Sequence, residues 1–372
     1  MSIVYLKKSE TPEALEGLLD LINPQPLGRP VLIKPNIVVP VKASTGVITD
    51  PELVRVLIKY LRKRGVKELA IGELPGICVD IAEMWEKSGY KKIAEQEEVE
   101  LVNLEETELL SFQWKYGNLK IPKIVKDSYY INFAKLKTHS QTTVTLGLKN
   151  QKGILQGESK KKMHNLGLHE PIAELYKAIK PDLTIIDGIL GLEGDGPATS
   201  GKPVKSKVLI GGLDTVSVDY TACRLMGFDP LTVKHLKAAG ELGDTNPEII
   251  GEKLNNLVIH FRPANEIAFK FFKVVMWRNP YACSMCGEAL RGAISGVVKN
   301  PRWWLKGFPK MFYYTFIKGI DFITGSNMDM PVKSEKLLVC IGKCTKENST
   351  GKAILLTGCP PSEKEIIEKV FL

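Results

Sequence analysis

The chain has 372 residues, 44% hydrophobic and 25% charged, a composition that excludes a disordered or low-complexity protein and implies a sizeable core. Its net charge of +9 favours anionic partners, yet the longest basic run is only Lys160, Lys161 and Lys162, which argues against nucleic acid. No secretory leader pattern opens the chain, and no window reaches the roughly 18 uncharged apolar residues of a spanning helix, so a cytoplasmic protein is expected.

Val31 to Lys34 predicts a strand that runs directly into Lys34-Pro35-Asn36, a cation and an amide at a strand end. Asp50-Pro51 opens a helix, with Asp50 able to cap its free N–H groups and Pro51 suited to the first turn. Leu53, Val54, Leu57 and Leu61 repeat at helical spacing, and Gly65 can end the helix left-handed. Leu69 to Gly72 predicts the next strand, Ile81 to Lys87 a helix stopped by Gly89, and Val99 to Leu104 and Tyr129 to Phe133 further strands. Ile172 to Ile179 reads as helix, Leu183 to Ile186 and Val208 to Gly211 as strands, and Asp214 to Met226 as a helix. This alternation predicts an α/β fold, a mostly parallel sheet flanked by helices, with ligands at the carboxyl ends of its strands. Residues 261–335 turn aromatic and basic. The expected division is an α/β anion-binding domain over 1–262 and a cysteine-rich α+β metal-cluster region over 263–372.

Three segments of the first domain carry chemistry. After the Tyr129 strand, Lys135, Lys137 and His139 fall on one side of an extended chain. Three such cations repel one another unless an anion sits between them. Lys149 and Asn150 lie close by, Gly153 and Gly157 permit close backbone approach, and His164 follows the lysine run. His139 and His164 are candidate acid–base groups, and Lys34, Asn36, Lys135, Lys137, Lys149 and Asn150 are candidate anion ligands. In the acidic glycine run 187–197, Asp187, Glu193 and Asp195 suit Mg²⁺ or substrate hydroxyls. That run has neither a P-loop ending nor G-x-G-x-x-G. Asp214 and Asp219 are further binding candidates, with helix capping as the alternative for Asp214.

Five of the seven cysteines fall after residue 280. Cys283 and Cys286 form a C-x2-C pair, Cys340 and Cys344 a C-x3-C pair, and Cys359 precedes Pro360. Thiolates in a reducing compartment suit iron–sulfur clusters and zinc. The favoured ligand set is Cys283, Cys286, Cys344 and Cys359 around a [4Fe–4S] cluster, with zinc or buried structural cysteines as alternatives. Cys340, at the inward end of a strand, is the spare thiol, with a ligand role in place of Cys344 as the alternative. Cys223 reads as core and Cys78 as a lone loop residue.

Lys34-Pro35-Asn36, Lys135-Leu136-Lys137-Thr138-His139, Leu148-Lys149-Asn150, Asp187-Gly188, 193–197 and Gly212-Leu213-Asp214 with Asp219, together with Gly358-Cys359-Pro360-Pro361, resemble the family called domain of unknown function 362. The resemblance implies an α/β domain often joined to iron–sulfur ligands, and supplies no reaction. The chain lacks the two C-x2-C-x2-C-x3-C-P runs of many relatives. Three functions are expected in competition. One is a redox or iron–sulfur-dependent enzyme on an anionic small molecule, served by a redox partner protein. Another is a non-redox, metal-assisted transferase or ligase. The third is a metallocentre assembly or binding protein whose stretch 299–325 touches a partner or a membrane surface.

Overall fold

The computed structural model describes residues 1–26, 28–74, 79–264, 269–278, 285–325, 335–348 and 353–372. Cys78 and Cys283 lie outside the described residues. The chain divides into two compact units, Met1–Ala264 and Asn265–Leu372.

The strands of the first unit are β1 (Ile3–Lys8), β2 (Val31–Lys34), β3 (Leu69–Glu73), β4 (Glu100–Asn103), the hairpin β5 (Leu109–Trp114) and β6 (Gly117–Pro122), β7 (Tyr129–His139), β8 (Thr143–Val144), β9 (Leu183–Gly194), β10 (Gly201–Val204), β11 (Val208–Gly212) and β12 (Glu248–Gly251). Its helices are α1 (Ala14–Ile22), α2 (Pro51–Lys63), α3 (Ile81–Ser88), α4 (Tyr90–Gln96), α5 (Lys123–Asp127), α6 (Leu146–Asn150), α7 (Gly157–Asn165), α8 (His169–Ala178), α9 (Thr215–Leu225) and α10 (Lys234–Ala239). One sheet runs β12-β1-β11-β9-β7-β2-β3-β4, with β10 paired to β9 and β8 to β7. The five strands from β9 to β4 are parallel, and β11 is antiparallel to both of its neighbours. Separate apolar cores cover the two faces. One gathers Leu15, Leu18, Leu53, Leu57 and Leu61 from α1 and α2, and the other Leu148, Ile172, Leu175 and Val218 from α6, α8 and α9. A mostly parallel sheet flanked by helices is therefore the architecture, as the alternation of elements requires.

The helix signals act as expected. Asp50 Oδ1 accepts the Glu52 N–H at 2.9 Å, Pro51 occupies the first turn, and Gly65 takes φ +85° just past the end of α2. Two strands are longer than the sequence suggests. β7 continues from Phe133 to His139, because its lysines point into a buried site rather than into water. β9 continues through the acidic glycine run, where β10 pairs with residues 191–194. Gly191 is needed there: a Cβ would stand 2.7 Å from Ser206 Oγ and 3.0 Å from the Leu136 carbonyl.

In the second unit, β13 (Phe269–Phe271), β14 (Val274–Arg278), β15 (Ile320–Thr324), β16 (Leu337–Ile341) and β17 (Ile354–Leu356) form a sheet in chain order. β14 to β17 are parallel, and α11 (Met285–Lys299) and α12 (Pro301–Tyr313) join β14 to β15. A short C-terminal helix, α13 (Glu363–Ile366), completes its core with Leu290, Val297, Phe322, Val339 and Phe371. The helical crossover between parallel β14 and β15 gives this unit an α/β character where an α+β region was expected. Among the described residues, no helix is long and apolar enough to cross a membrane.

Asp50 both caps α2 and donates its own N–H to Asp187 at 2.9 Å. Asp50→Ala is expected to cost about 1 kcal/mol of stability through the lost cap, read as a lower urea midpoint with an unchanged m-value.

Candidate functional site

The chain steps from β2 outward to β3 and β4, then returns to place β7 on the other side of β2 and β9 beyond it. The order reverses between β2 and β7. In doubly wound sheets the crevice outside the carboxyl ends at that reversal is where ligands bind. Here those ends carry Lys34, the last residue of β2 and register partner of Asn132, and then Lys135 and Lys137 of β7. No glycine fingerprint follows β2.

Two of these lysines are buried with carboxylate partners. Lys34, 1% exposed, places Nζ 2.9 and 3.0 Å from the two oxygens of Glu73, at the end of β3. Glu73 also accepts the N–H groups of Ile37 and Leu74, each at 2.9 Å. Even so, burial holds the Lys34 ammonium below the ordinary lysine range. Gly153 closes over the pair: a Cβ there would lie 2.5 Å from Lys34 Nζ. Lys135 Nζ meets Asp187 Oδ2 at 2.6 Å across β7 and β9, with both side chains 1% exposed.

A chain of buried amides ties these strand ends to α6. Asn150 Oδ1 accepts from Lys34 Nζ at 3.2 Å and from Asn36 Nδ2 at 2.8 Å. Asn150 Nδ2 donates to Asn132 Oδ1 at 2.7 Å, and Asn132 Nδ2 donates to the Gly147 carbonyl at 2.9 Å. Asn36 Oδ1 is buried and has no partner among the described residues. Asp219, fully buried on α9, accepts the Gly147 and Leu148 N–H groups at 2.7 and 2.8 Å and so holds the start of α6. Burial outweighs those two amides and raises its carboxyl to about 8.

Further cations collect beside these pairs. Lys137, fully buried, donates to the Val47 and Pro197 carbonyls at 2.8 and 3.0 Å. Burial, then the nearby charge of Lys135, drive its ammonium well below the ordinary range. Lys149, half-buried, has neither a hydrogen bond nor an ion pair among the described residues; burial and then Lys137 lower it to about 7. Lys160 donates to the Leu74 carbonyl at 2.8 Å and is lowered to about 7, chiefly by burial. Lys152 contacts His164 Nε2. Burial first, then Lys152, Lys149 and Lys160, hold the His164 imidazole well below its usual value.

The remaining candidates have partners of their own. His139, buried at the end of β7, accepts the Gln141 N–H on Nδ1 at 3.0 Å. Glu193 pairs with Arg262, which keeps its carboxyl low, and accepts the Arg262 N–H at 3.0 Å. Asp195 is half-buried just beyond β9. Asp214 caps α9 through the Val216 N–H at 3.0 Å and also accepts from Ser217, Tyr176 and the Asp244 N–H. Glu73 and Asn132 are site residues that sequence reasoning missed. Each had a faint signal: an acid directly after an apolar strand, and an amide inside one.

In the second unit the thiols follow the carboxyl ends of parallel strands. Cys286 is buried in the first turn of α11, Cys344 follows β16, and Cys359 follows β17. Gly342, at φ +96°, brings two of them together. A Cβ on Gly342 would lie 2.9 Å from Cys286 Sγ, 3.6 Å from Cys344 Sγ and 3.9 Å from the Gly358 carbonyl. Gly342 N–H donates to the Leu356 carbonyl at 2.8 Å and Lys343 N–H to the Gly358 carbonyl at 3.0 Å, which fixes the Cys359 turn beside the Cys344 turn. Cys340 lies within β16, fully buried, with its thiol raised by that burial. Among the described residues no three His, Cys, Asp or Glu side chains form a single-ion site.

The fold and site define a doubly wound α/β protein with an excess of buried cations at its topological switch point. The chain belongs to the family described as domain of unknown function (DUF362), whose model matches residues 31–224. It is 30% identical, over 240 residues, to a thylakoid-associated protein of Synechocystis sp., an alignment spanning 62% of this chain and 72% of that relative.

Glu73→Gln would leave the buried Lys34 ammonium uncompensated and is expected to cost about 3–5 kcal/mol of stability. Urea titration of the full chain checks this, and an unchanged midpoint contradicts it.

Proposed function

We propose that the protein binds an anionic small molecule, carrying phosphate or several carboxylates, at the β2–β7 switch point. The observation that carries this is the imbalance of charge there. Lys34 and Lys135 have carboxylate partners, whereas Lys137 and Lys149 have no ion pair among the described residues. Buried like charges without counter-ions are costly, and a bound anion removes that cost. Asn36 Oδ1 offers such a ligand an acceptor for a hydroxyl or amine. Asp187 and Glu193 are each neutralised by a cation of the chain, which favours this reading over Mg²⁺. Asp219 is then a positioning residue, acting through α6, and His164 a neutral base beside the lysines.

The pH dependence follows from the lowered lysines. Lys149 and Lys160 lose their charge as pH rises through about 7, so anion affinity is highest below that pH and falls above it, and binding at slightly alkaline pH takes up protons. Calorimetry of the full chain with a panel of phosphorylated and polycarboxylate metabolites, in buffers of differing ionisation enthalpy, measures both. Lys149→Met should weaken binding by about tenfold or more, the loss of one charge-assisted contact, while leaving the unliganded protein at least as stable. Binding that strengthens with pH would overturn the proposal.

A second reading concerns the thiols. We infer that Cys283, Cys286, Cys344 and Cys359 hold an iron–sulfur cluster, [4Fe–4S] in type, with zinc as the alternative. The space between Cys286 and Cys344 that only a glycine at position 342 leaves open supports it. Four thiolates on one zinc, with Zn–S of about 2.3 Å, must close to within about 4 Å of one another; a cluster accepts a wider set. When bound, a cluster supplies one-electron transfer, which makes the protein an iron–sulfur oxidoreductase working with a redox partner protein. The transferase and metallocentre-assembly readings share the thiol site but give it no redox role. A reducing cytoplasmic setting keeps the thiols in reduced form; the Synechocystis relative is named for the thylakoid. Anaerobically purified protein should contain iron, absorb in the visible and give an EPR signal on reduction. Cys286→Ser and Cys344→Ser should each lose most of the iron. A colourless protein holding zinc selects the alternative, and one without metal removes the reading.

A further inference from the structure

Helix α12 uses one face for the core and leaves the other bare. Gly307 is buried, and Trp303, Met311 and Tyr314 pack against the core of the second unit. On the opposite side Trp304, Phe308, Phe312 and, just past the helix, Phe316 recur every fourth residue, and all are exposed. Residues at that spacing share one face. Leu305, 71% exposed, and Ile317, 58%, widen the stripe.

A second element extends it. Phe271 and Phe272, at the turn from β13 to β14, are also exposed. The rings pack in two runs along this face: Trp304–Phe308 at 5.4 Å, and Phe312–Phe316 at 4.7 Å, Phe316–Phe272 at 4.6 Å and Phe272–Phe271 at 4.8 Å between centroids. Soluble proteins rarely leave so many large apolar groups contiguous in water without a partner.

The charge beside the rings is of one sign. Residues 299–318 contain Lys299, Arg302, Lys306, Lys310 and Lys318 and no acid. Arg302, Lys306 and Lys310 recur every fourth residue along a single flank. Beneath the helix lies an apolar cavity of about 120 Å³, lined by Phe271, Met311, Tyr314, Phe322 and Phe371 among others. Phe271 belongs both to the cavity wall and to the exposed face.

We propose that this face seats the protein on an anionic lipid surface. Trp and Phe rings enter the boundary between headgroups and acyl chains, the basic flank meets the headgroup charge, and the cavity beside Phe271 accepts the end of an acyl chain. An interfacial helix has this composition: large apolar groups on one side, lysine and arginine on the other, and too little total hydrophobicity to span. The rings pack against one another, stacked at Trp304–Phe308 and tilted or edge-on from Phe312 to Phe271, rather than framing a pocket for a partner's side chain, which favours a lipid surface over an acidic protein.

Flotation of the full chain with vesicles of phosphatidylcholine, with and without phosphatidylglycerol, tests the proposal. The protein should float with the anionic vesicles and not with the neutral ones, and rising salt should release it. Phe272→Ser, Phe308→Ser and Phe312→Ser are exposed changes that leave the fold intact. Each should weaken vesicle binding by about tenfold, the loss of one buried ring, and Arg302→Glu with Lys306→Glu should abolish the preference for anionic lipid. No flotation, flotation indifferent to the ring variants, or a soluble dimer that the ring variants dissolve would each overturn it, the last assigning the face to a second copy of the chain.

Discussion

Lysine ammonium groups brought out of water at the ends of parallel strands are the constraint on which the first unit is organised. A charge placed there must find a carboxylate, a set of carbonyls or a ligand. Lys34 finds Glu73 and Lys135 finds Asp187, each across one inter-strand step. Much of the nearby architecture serves those pairs. Gly153 lets the backbone close over Lys34, the Ile37 and Leu74 N–H groups steady Glu73, and the Asp50 N–H steadies Asp187.

The pairs in turn locate the cations left over. Asn36, Asn132 and Asn150 form a bridge from β2 and β7 to α6, and Asp219 fixes the beginning of that helix. Lys149, the residue before Asn150, is thereby held close enough to Lys137 for that charge to disfavour its own. Sheet topology supplies the position: the strand order reverses between β2 and β7, the place where doubly wound sheets bind ligands.

The second unit repeats the principle with sulfur. Its parallel strands also direct their carboxyl ends, and the turns after them, toward one edge, where Cys286 and Cys344 face the same glycine. Cys340, two residues before Gly342, is fully buried within β16. Cys344 lies past Gly342, in the turn that follows the strand, so the C-x3-C spacing does not make a ligand pair by itself.

Much of the architecture could be read from the sequence, because it rests on local rules. Apolar runs, the Asp50-Pro51 start and the Gly65 stop are set by residues a few positions apart, and they predicted an α/β sheet. Lys34, Lys135, Lys137, Lys149 and Asn150 could be singled out because polar groups directly after apolar strands are conspicuous. The alternation of Lys135, Lys137 and His139 already marked an extended chain, but the extent of β9 could not be read, because glycine-rich acids look like loop until a neighbouring strand pairs with them. Nor could Glu73 be assigned to Lys34, 39 positions away, or Asp187 to Lys135, 52 positions away. Those pairings depend on which strands become neighbours, a property of the whole sheet. The sequence by itself determined which chemistry the chain carries; the tertiary structure decided which charges are neutralised and which remain, because Coulomb forces act through the short distances that folding creates rather than along the chain.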